Sequence, residues 1–214
     1  MVAFFTGGWY QFSPMLKDYL YNTAETIPGS STDRLAAKAK ELNMYVIFGM
    51  TEKVSEHDSL YNTSVFLGPS GIIGKYRKMN LWEGGNEHLC WKKGKNTGVF
   101  DSPFGKVGLM ICIDMHYWLG LELAKEGANF LVTVSAWPAS AKERFEKVTK
   151  ENAAKTNLWH IVSNQVGSVG DIQDYGHSRI VDPNGNIIAD TGDEEGLIIV
   201  KTDLLVDLKF LKDK

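Results

Sequence analysis

Only two cysteines, Cys90 and Cys112, occur in the 214 residues. That count rules out a disulfide scaffold and points to a reducing compartment. Positive charge is not in excess either. The chain has 23 Lys and Arg against 26 Asp and Glu, a net charge of -3, and no long basic run. Nucleic acid is therefore not an expected partner. No apolar stretch is long enough to cross a bilayer, so no membrane partner is expected. The N-terminus has no basic start before an apolar run, so a signal peptide is not expected. Internal repeats, low-complexity stretches and linkers are missing too, which makes residues 1–214 a single domain. What remains is an ordinary globular composition, 43% hydrophobic and 23% charged, with enough length for one large core. The expectation is a cytoplasmic enzyme or binding protein.

The most informative stretch is Lys106-Val107-Gly108-Leu109-Met110-Ile111-Cys112-Ile113-Asp114. From 107 to 112 every residue but Gly108 is apolar or sulfur-bearing. Such a short unbroken run reads as a strand covered on both faces. His116, Tyr117 and Trp118 come next, and then a helix over 121–126 that closes at Gly127. A strand that ends at a strand-to-helix corner presents its last side chain at the sheet edge. A thiol there is expected to have a lowered pKa, because a helix N-terminus favours an anion. The alternative is that Cys112 is a small buried hydrophobe.

Around this stretch the chain alternates helices and strands. A helix is expected over 33–42, with Ser31 or Thr32 as N-cap and Asn43 as its stop. Its Leu35, Ala39 and Leu42 fall on one face. A buried strand follows at 44–49. Strands at 60–67 and 72–76 form a hairpin across Gly68-Pro69-Ser70-Gly71. A loop from 80 to 94 precedes the central strand. Further elements are a buried strand at 130–134, a charged helix at 141–156 and a strand at 158–163. A second hairpin joins 177–181 to 186–190, and a last strand covers 197–202. Parallel-type strands together with hairpins predict an α/β fold of layered α-β-β-α type rather than a purely parallel sheet.

Chemistry-bearing residues collect at strand ends: Lys78, Cys112, Trp137 and Asn164. Strand ends in such layers converge on one rim. A cation beside a thiol holds a developing oxyanion, and Glu87 lies between the two in sequence, where it could orient the lysine or move a proton. Each has a plainer alternative. A lone strand-end Lys78 and a loop Glu87 are more often solvated side chains, Asp114 more often a cap of the following helix, and Trp82, Trp91, Tyr117, Trp118 and Trp137 read equally as core aromatics or as walls of a modest pocket.

Taken together, the segments resemble the carbon–nitrogen hydrolase (nitrilase) superfamily. The matching stretches are Ile27-Pro28-Gly29, Leu60-Tyr61-Asn62 and Gly74-Lys75-Tyr76-Arg77-Lys78-Met79-Asn80-Leu81. They continue through Glu87, Gly94, Pro103-Phe104-Gly105-Lys106-Val107-Gly108 and Ile111-Cys112-Ile113-Asp114. Gly127-Ala128, Ser135-Ala136-Trp137, Asn164-Gln165-Val166-Gly167, His177-Ser178 and Asp182-Pro183-Asn184-Gly185 complete the set. They stand in the family's order from about Ile27 onward.

The resemblance implies a four-layer α-β-β-α sandwich and a Glu-Lys-Cys triad that cleaves non-peptide C–N bonds without metal or organic cofactor. Cys112 falls on the nucleophile, Lys78 on the catalytic lysine, and Glu87 on the second, supporting glutamate. The backbone N–H of Ile113 completes the oxyanion site, and Ile113, His116, Tyr117 and Trp137 are the expected substrate-binding residues. His116-Tyr117-Trp118-Leu119 replaces a common Arg-Phe-Pro-Glu, and Asn80 replaces a frequent His. The family begins with a further strand, helix and strand that supply a Pro-Glu general base. Here Gly8-Trp9 aligned with the usual Gly-Tyr puts Ala3 at that glutamate. The fold is thus expected to be N-terminally incomplete and catalysis to be impaired. The expected substrate is a small-molecule amide, and the expected assembly a homodimer or higher homo-oligomer. The alternatives are a non-catalytic or truncated member serving as an assembly or binding module, and a nitrilase or N-carbamoyl hydrolase.

Overall fold

The computed structural model describes residues 14–54, 59–169 and 172–201. The expected correspondence of Gly8-Trp9 and Ala3 lies outside these residues. In chain order the helices are α1 (Pro14–Thr23), α2 (Ser30–Leu42), α3 (Glu87–Cys90), α4 (Leu119–Lys125) and α5 (Lys142–Thr156). The strands are β1 (Val46–Val54), β2 (Ser59–Gly68), β3 (Gly71–Arg77), β4 (Val99–Phe100), β5 (Val107–Ile111), β6 (Phe130–Ser135), β7 (Trp159–Asn164), β8 (Val166–Val169), β9 (Ile172–Tyr175), β10 (Arg179–Val181) and β11 (Ile187–Asp190).

β1, β2 and β3 form an antiparallel sheet in that order. A second sheet runs β11-β10-β7-β6-β5-β4, with β5, β6 and β7 parallel to one another. Every residue of β5 and β6 is buried, as expected for a parallel sheet covered on both faces.

Strand alternation explains the layering. Phe48, Val65 and Leu67 of the first sheet turn outward onto Leu35 and Ala36 of α2. Their neighbours Ile47 and Phe66, with Tyr76, turn inward and share one core with Val107, Leu109, Ile111 and Val132. Leu119, Leu123, Phe145 and Val148 of α4 and α5 close that core from the far side. Each such side chain contributes roughly 1.5–3 kcal/mol when fully buried. The order is therefore α2, first sheet, second sheet, then α4 and α5, the four-layer sandwich expected from the sequence. Gly108 is needed for the last contact: a Cβ there would lie 3.1 Å from the Cβ of Leu123 and 3.2 Å from that of Ala128.

Some local expectations differ. α2 begins at Ser30 with Gly29 as its N-cap, so neither Ser31 nor Thr32 caps it. Thr32 sits in the first turn and instead accepts the Gly29 N–H at 2.8 Å. Leu42 is exposed, because the apolar face of α2 ends at Ala39. The strand expected over 197–202 does not form across its described part, residues 197–201. The chain leaves the sheet after β11, so the apolar Leu197 and Ile199 stay 78% and 85% exposed. The hairpin β8–β9 has no counterpart in the sequence reading, because its Gly167, Gln173 and Asp174 interrupt any apolar run. Among the described residues no helix is long and apolar enough to cross a membrane.

Candidate active site

β5 delivers Cys112. The strand stops at Ile111, and Cys112 takes φ +49° as the chain winds into a 3-10 turn, Cys112–Met115. A positive φ at a non-glycine residue costs on the order of 1 kcal/mol and needs outside support. Asp114 supplies it. Its buried carboxylate accepts the Ile111 N–H at 3.0 Å and the Tyr76 hydroxyl at 2.8 Å. It also accepts the Asn80 backbone N–H at 3.1 Å and the Asn80 amide at 2.9 Å. Asp114 does not cap the following helix, whose N-cap is Trp118; it sits inside the 3-10 turn, closes back on Ile111 and ties that turn to the other sheet.

Tyr76 and Asn80 bracket Lys78, so the bonds that hold the cysteine corner also hold the lysine. The Lys78 N–H donates to the Asn62 carbonyl and its own carbonyl accepts from Gly94 N–H, both at 2.8 Å. Gly94 is required here: a Cβ would fall 2.0 Å from the Arg77 carbonyl oxygen. The Lys78 side chain is fully buried. Its Nζ donates to both Glu87 carboxylate oxygens, at 2.7 and 2.8 Å. Glu87, at the start of α3, also accepts the Trp82 N–H at 2.7 Å.

The electrostatics join three of the expected site residues. Burial pulls the Lys78 ammonium down, but the charges of Glu87, Cys112 and Asp114 together outweigh it and hold Lys78 above the ordinary lysine range. The Cys112 thiol moves opposite to the sequence expectation. Burial raises it, and the attraction of Lys78 does not compensate. The sulfur is buried, so desolvation of a thiolate outweighs the nearby cation. The Cys112 thiol approaches the Ala136 carbonyl at 4.0 Å.

The remaining expected residues are placed as follows. Ile113 is buried in the first position after the cysteine, where the N–H groups of a helical turn have no partner within the turn. Trp137 is buried at the end of β6, edge-on to Phe145, and its indole N–H donates to the Ala141 carbonyl. Its backbone N–H donates to Asn164 Oδ1 at 2.8 Å. Asn164 in turn donates to the Gly176 carbonyl and thereby joins β6 to the β8–β9 hairpin. His116 faces Arg144 and Lys147 of α5, and burial together with those cations lowers its pKa. Tyr117 stacks edge-on with His116 and is 55% exposed. Cys112, Lys78, Glu87 and Ile113 are thus brought together, whereas His116 and Tyr117 lie toward α5 and the surface. Among the described residues no three His, Cys, Asp or Glu side chains are grouped to hold a metal ion. The sequence reading missed Tyr76 and Asn80 as partners of Asp114. Their spacing of two about Lys78 is the signal that could have found them.

Residues 3–206 match the carbon–nitrogen hydrolase family. A probable nitrilase of Schizosaccharomyces pombe is 30% identical over 180 residues, 82% of this chain and 65% of that protein. The omega-amidase NIT2 of Homo sapiens is 31% identical over 205 residues, 90% of this chain and 73% of that protein. This chain thus spans about two thirds to three quarters of the length of these relatives. Among solved structures, Saccharomyces cerevisiae Nit3, a member of branch 10 of the nitrilase superfamily, superposes with a TM-score of 0.82 at 24% identity. The match covers 92% of this chain and 75% of that one.

Proposed function

Because the chain belongs to the carbon–nitrogen hydrolase family, on the amidase-like branch of the nitrilase superfamily, we propose that it hydrolyses small-molecule amides through a thioester on Cys112. Relatives named omega-amidase and 2-oxoglutaramate amidase support an amide substrate. The observation that carries the reading is the buried Lys78–Glu87 ion pair acting on a thiol at a positive-φ corner.

The chemistry follows from the groups present. Cys112 Sγ attacks the amide carbon while its proton passes to a carboxylate. The carbonyl oxygen becomes an oxyanion, held by the Lys78 ammonium and the Ile113 N–H. The C–N bond breaks, the nitrogen takes the proton, and ammonia or an amine leaves a thioester. Water adds to the thioester carbon, the C–S bond breaks, and the acid departs as the thiol is restored.

Burial keeps Cys112 a thiol at neutral pH, so a base is needed at the first step. Glu87 is the carboxylate at Lys78, and both its oxygens are already engaged. None of the six prolines is followed by glutamate. The 214 residues alone are therefore slow catalysts unless Glu87 transfers the proton, because members of such a unit act together. Ammonia release from short aliphatic amides tests this, with the chain assayed alone and fused to an upstream segment ending in Pro-Glu. Rate should rise by orders of magnitude in the fusion and vanish in Cys112→Ala. Ordinary turnover by the chain alone would remove the need for a second carboxylate, and no turnover by either form would remove the amidase reading.

A second reading, a non-catalytic binding or assembly module, draws on the buried thiol. Failure of iodoacetamide to alkylate Cys112 even in alkaline buffer favours it. The protein is further proposed to act in the cytoplasm as a homodimer or higher homo-oligomer. Exposed Ile187, Ile188, Leu197 and Ile199 support self-association, and elution as a monomer in size-exclusion chromatography would count against it.

A further inference from the structure

The outer face of the first sheet carries a cleft that the amidase chemistry leaves unused. Its volume is about 340 Å³, and four of its lining residues are cations: Lys75, Arg77, Lys93 and Lys95. Lys75 and Arg77 alternate along β3 with Tyr76, which turns into the core between the sheets. Lys75 stands opposite Val65 in the ladder, and Val65 packs on the α2 side. The cleft therefore opens on the face of the sheet away from Tyr76 and the cysteine corner.

The cations are held in place. Glu52 is 1% exposed and accepts Lys75 Nζ at 2.6 Å and Arg77 Nε and Nη2 at 2.7 and 2.6 Å. The Arg77 guanidinium also lies 4.0 Å over the Tyr61 ring. Both side chains stay accessible, at 35% and 32% exposure. Lys93 and Lys95 stand on a stretch pinned to the sheet. Lys92 N–H donates to the Leu60 carbonyl and Gly94 N–H to the Lys78 carbonyl, both at 2.8 Å.

Charge around this cavity is uncompensated. One carboxylate, Glu52, serves the four cations, which leaves three positive charges in excess. Among the described residues neither Lys93 nor Lys95 has an ion-pair partner. Glu126 accepts the hydroxyl of the lining residue Thr97 at 2.6 Å, and counting it still leaves two. The chain as a whole carries -3, so the cluster is not its average surface. Like charges grouped in this way repel, and a bound anion relieves the repulsion.

We propose that the cleft binds a phosphate dianion, either free or as the head of a small phosphate monoester. An excess of two or three positive charges is more than a single carboxylate neutralises. The ammonium groups of Lys75, Lys93 and Lys95 are point charges that suit a tetrahedral oxyanion. The fork of Arg77, which matches a planar carboxylate, is already taken by Glu52. The volume lies in the range of small-molecule sites. The site does not depend on the amidase reading, because it lies on the other face of the sheet.

The test is calorimetric titration of the full chain at low ionic strength, above the second phosphate pKa of about 6. The ligands are inorganic phosphate, glycerol phosphate, succinate and glycerol. The two phosphates should bind, succinate should bind several-fold more weakly, and glycerol should not bind. Lys93→Gln combined with Lys95→Gln changes two exposed positions. It should weaken phosphate binding roughly 3- to 30-fold, the loss for two exposed charge contacts, and added salt should weaken it further. A lead of glycerol phosphate over inorganic phosphate assigns the site to an ester, and equal affinity assigns it to the free ion; both uphold phosphate recognition. No phosphate binding, succinate binding as tightly as phosphate, or an affinity unchanged in the double variant would overturn the site.

Discussion

Replacing Glu87 with glutamine probes the centre of the site. The substitution keeps the shape and removes the charge. Lys78 is fully buried and its ammonium donates to both carboxylate oxygens of Glu87. Breaking a buried ion pair from one side typically costs about 3–5 kcal/mol, because the remaining charge is stranded. Two features put Glu87→Gln near the low end. The glutamine oxygen still accepts one bond, and Lys78 can shed its proton once its strongest support is gone. A loss of about 3 kcal/mol lowers the melting temperature by about 6–12 °C in a chain of this length.

The pH dependence gives the sharper check. In the wild type the folded Lys78 is held above its unfolded value, so its contribution is whole below about pH 10.4 and is lost as pH rises through the folded pKa. In Glu87→Gln burial dominates and the folded pKa falls below the unfolded one. Between those two values the unfolded chain binds more protons, so the variant gains stability as pH rises. The gap between the two proteins should therefore be widest near neutrality and narrow toward pH 10, as read by circular-dichroism melts. A variant melting with the wild type at neutral pH, or a gap that stays constant with pH, would refute the reasoning.

Tyr76→Phe removes one of the four donors to Asp114 and the acceptor of the Met79 N–H at 3.1 Å. It should cost about 1–3 kcal/mol in urea unfolding, the price of leaving a buried polar group unpaired. His160 is buried neutral between Thr133 and Thr149 with a pKa lowered to about 4 by burial. Its contribution is whole above about pH 6.5 and is lost as pH falls toward about 4, so His160→Gln should flatten the acid limb of the stability curve. Asp174, raised to about 6, acts with the opposite sign over an overlapping range, and Asp174→Asn should steepen that limb. Cys112, raised by burial, should alkylate with iodoacetamide at a rate that climbs with pH, and Lys78→Met should slow it further at any one pH.

Much of this arrangement was legible in the sequence. The largely apolar runs at β5 and β6 announced buried strands, and Gly68-Pro69-Ser70-Gly71 announced the hairpin that places Lys78. Lys78 and Cys112 were legible as strand-end residues, because a reactive side chain at a sheet edge leaves that signature. The direction of the Cys112 shift was not legible. It depends on how completely the folded chain desolvates the sulfur, and local charge gives no measure of that. The β8–β9 hairpin escaped notice because its strands carry Gly167, Gln173 and Asp174 rather than alternating apolar residues. The segment after β11 failed in the reverse direction. Leu197, Ile198, Ile199 and Val200 read as a buried strand, but a strand needs a neighbour, and a run of apolar residues does not say where that neighbour is.

The two halves of the site come from different sheets, and among the described residues no ladder of hydrogen bonds joins them. Lys78 follows the last residue of β3 in the first sheet, and Cys112 follows the last residue of β5 in the second. Apolar contact between sheets sets their separation but tolerates small slides, since dispersion is non-directional. Asp114 supplies the direction that packing lacks. It takes Tyr76 and Asn80 from the first sheet and Ile111 from the second, so lysine and cysteine cannot shift relative to each other without breaking a bond to one buried carboxylate. The same residue that supports the positive φ of Cys112 thereby fixes the register of the cation. Burial raises the Asp114 carboxyl even against the Lys78 charge and the bonds from Tyr76, Ile111 and Asn80, and those four converging donors make it the pin between the sheets.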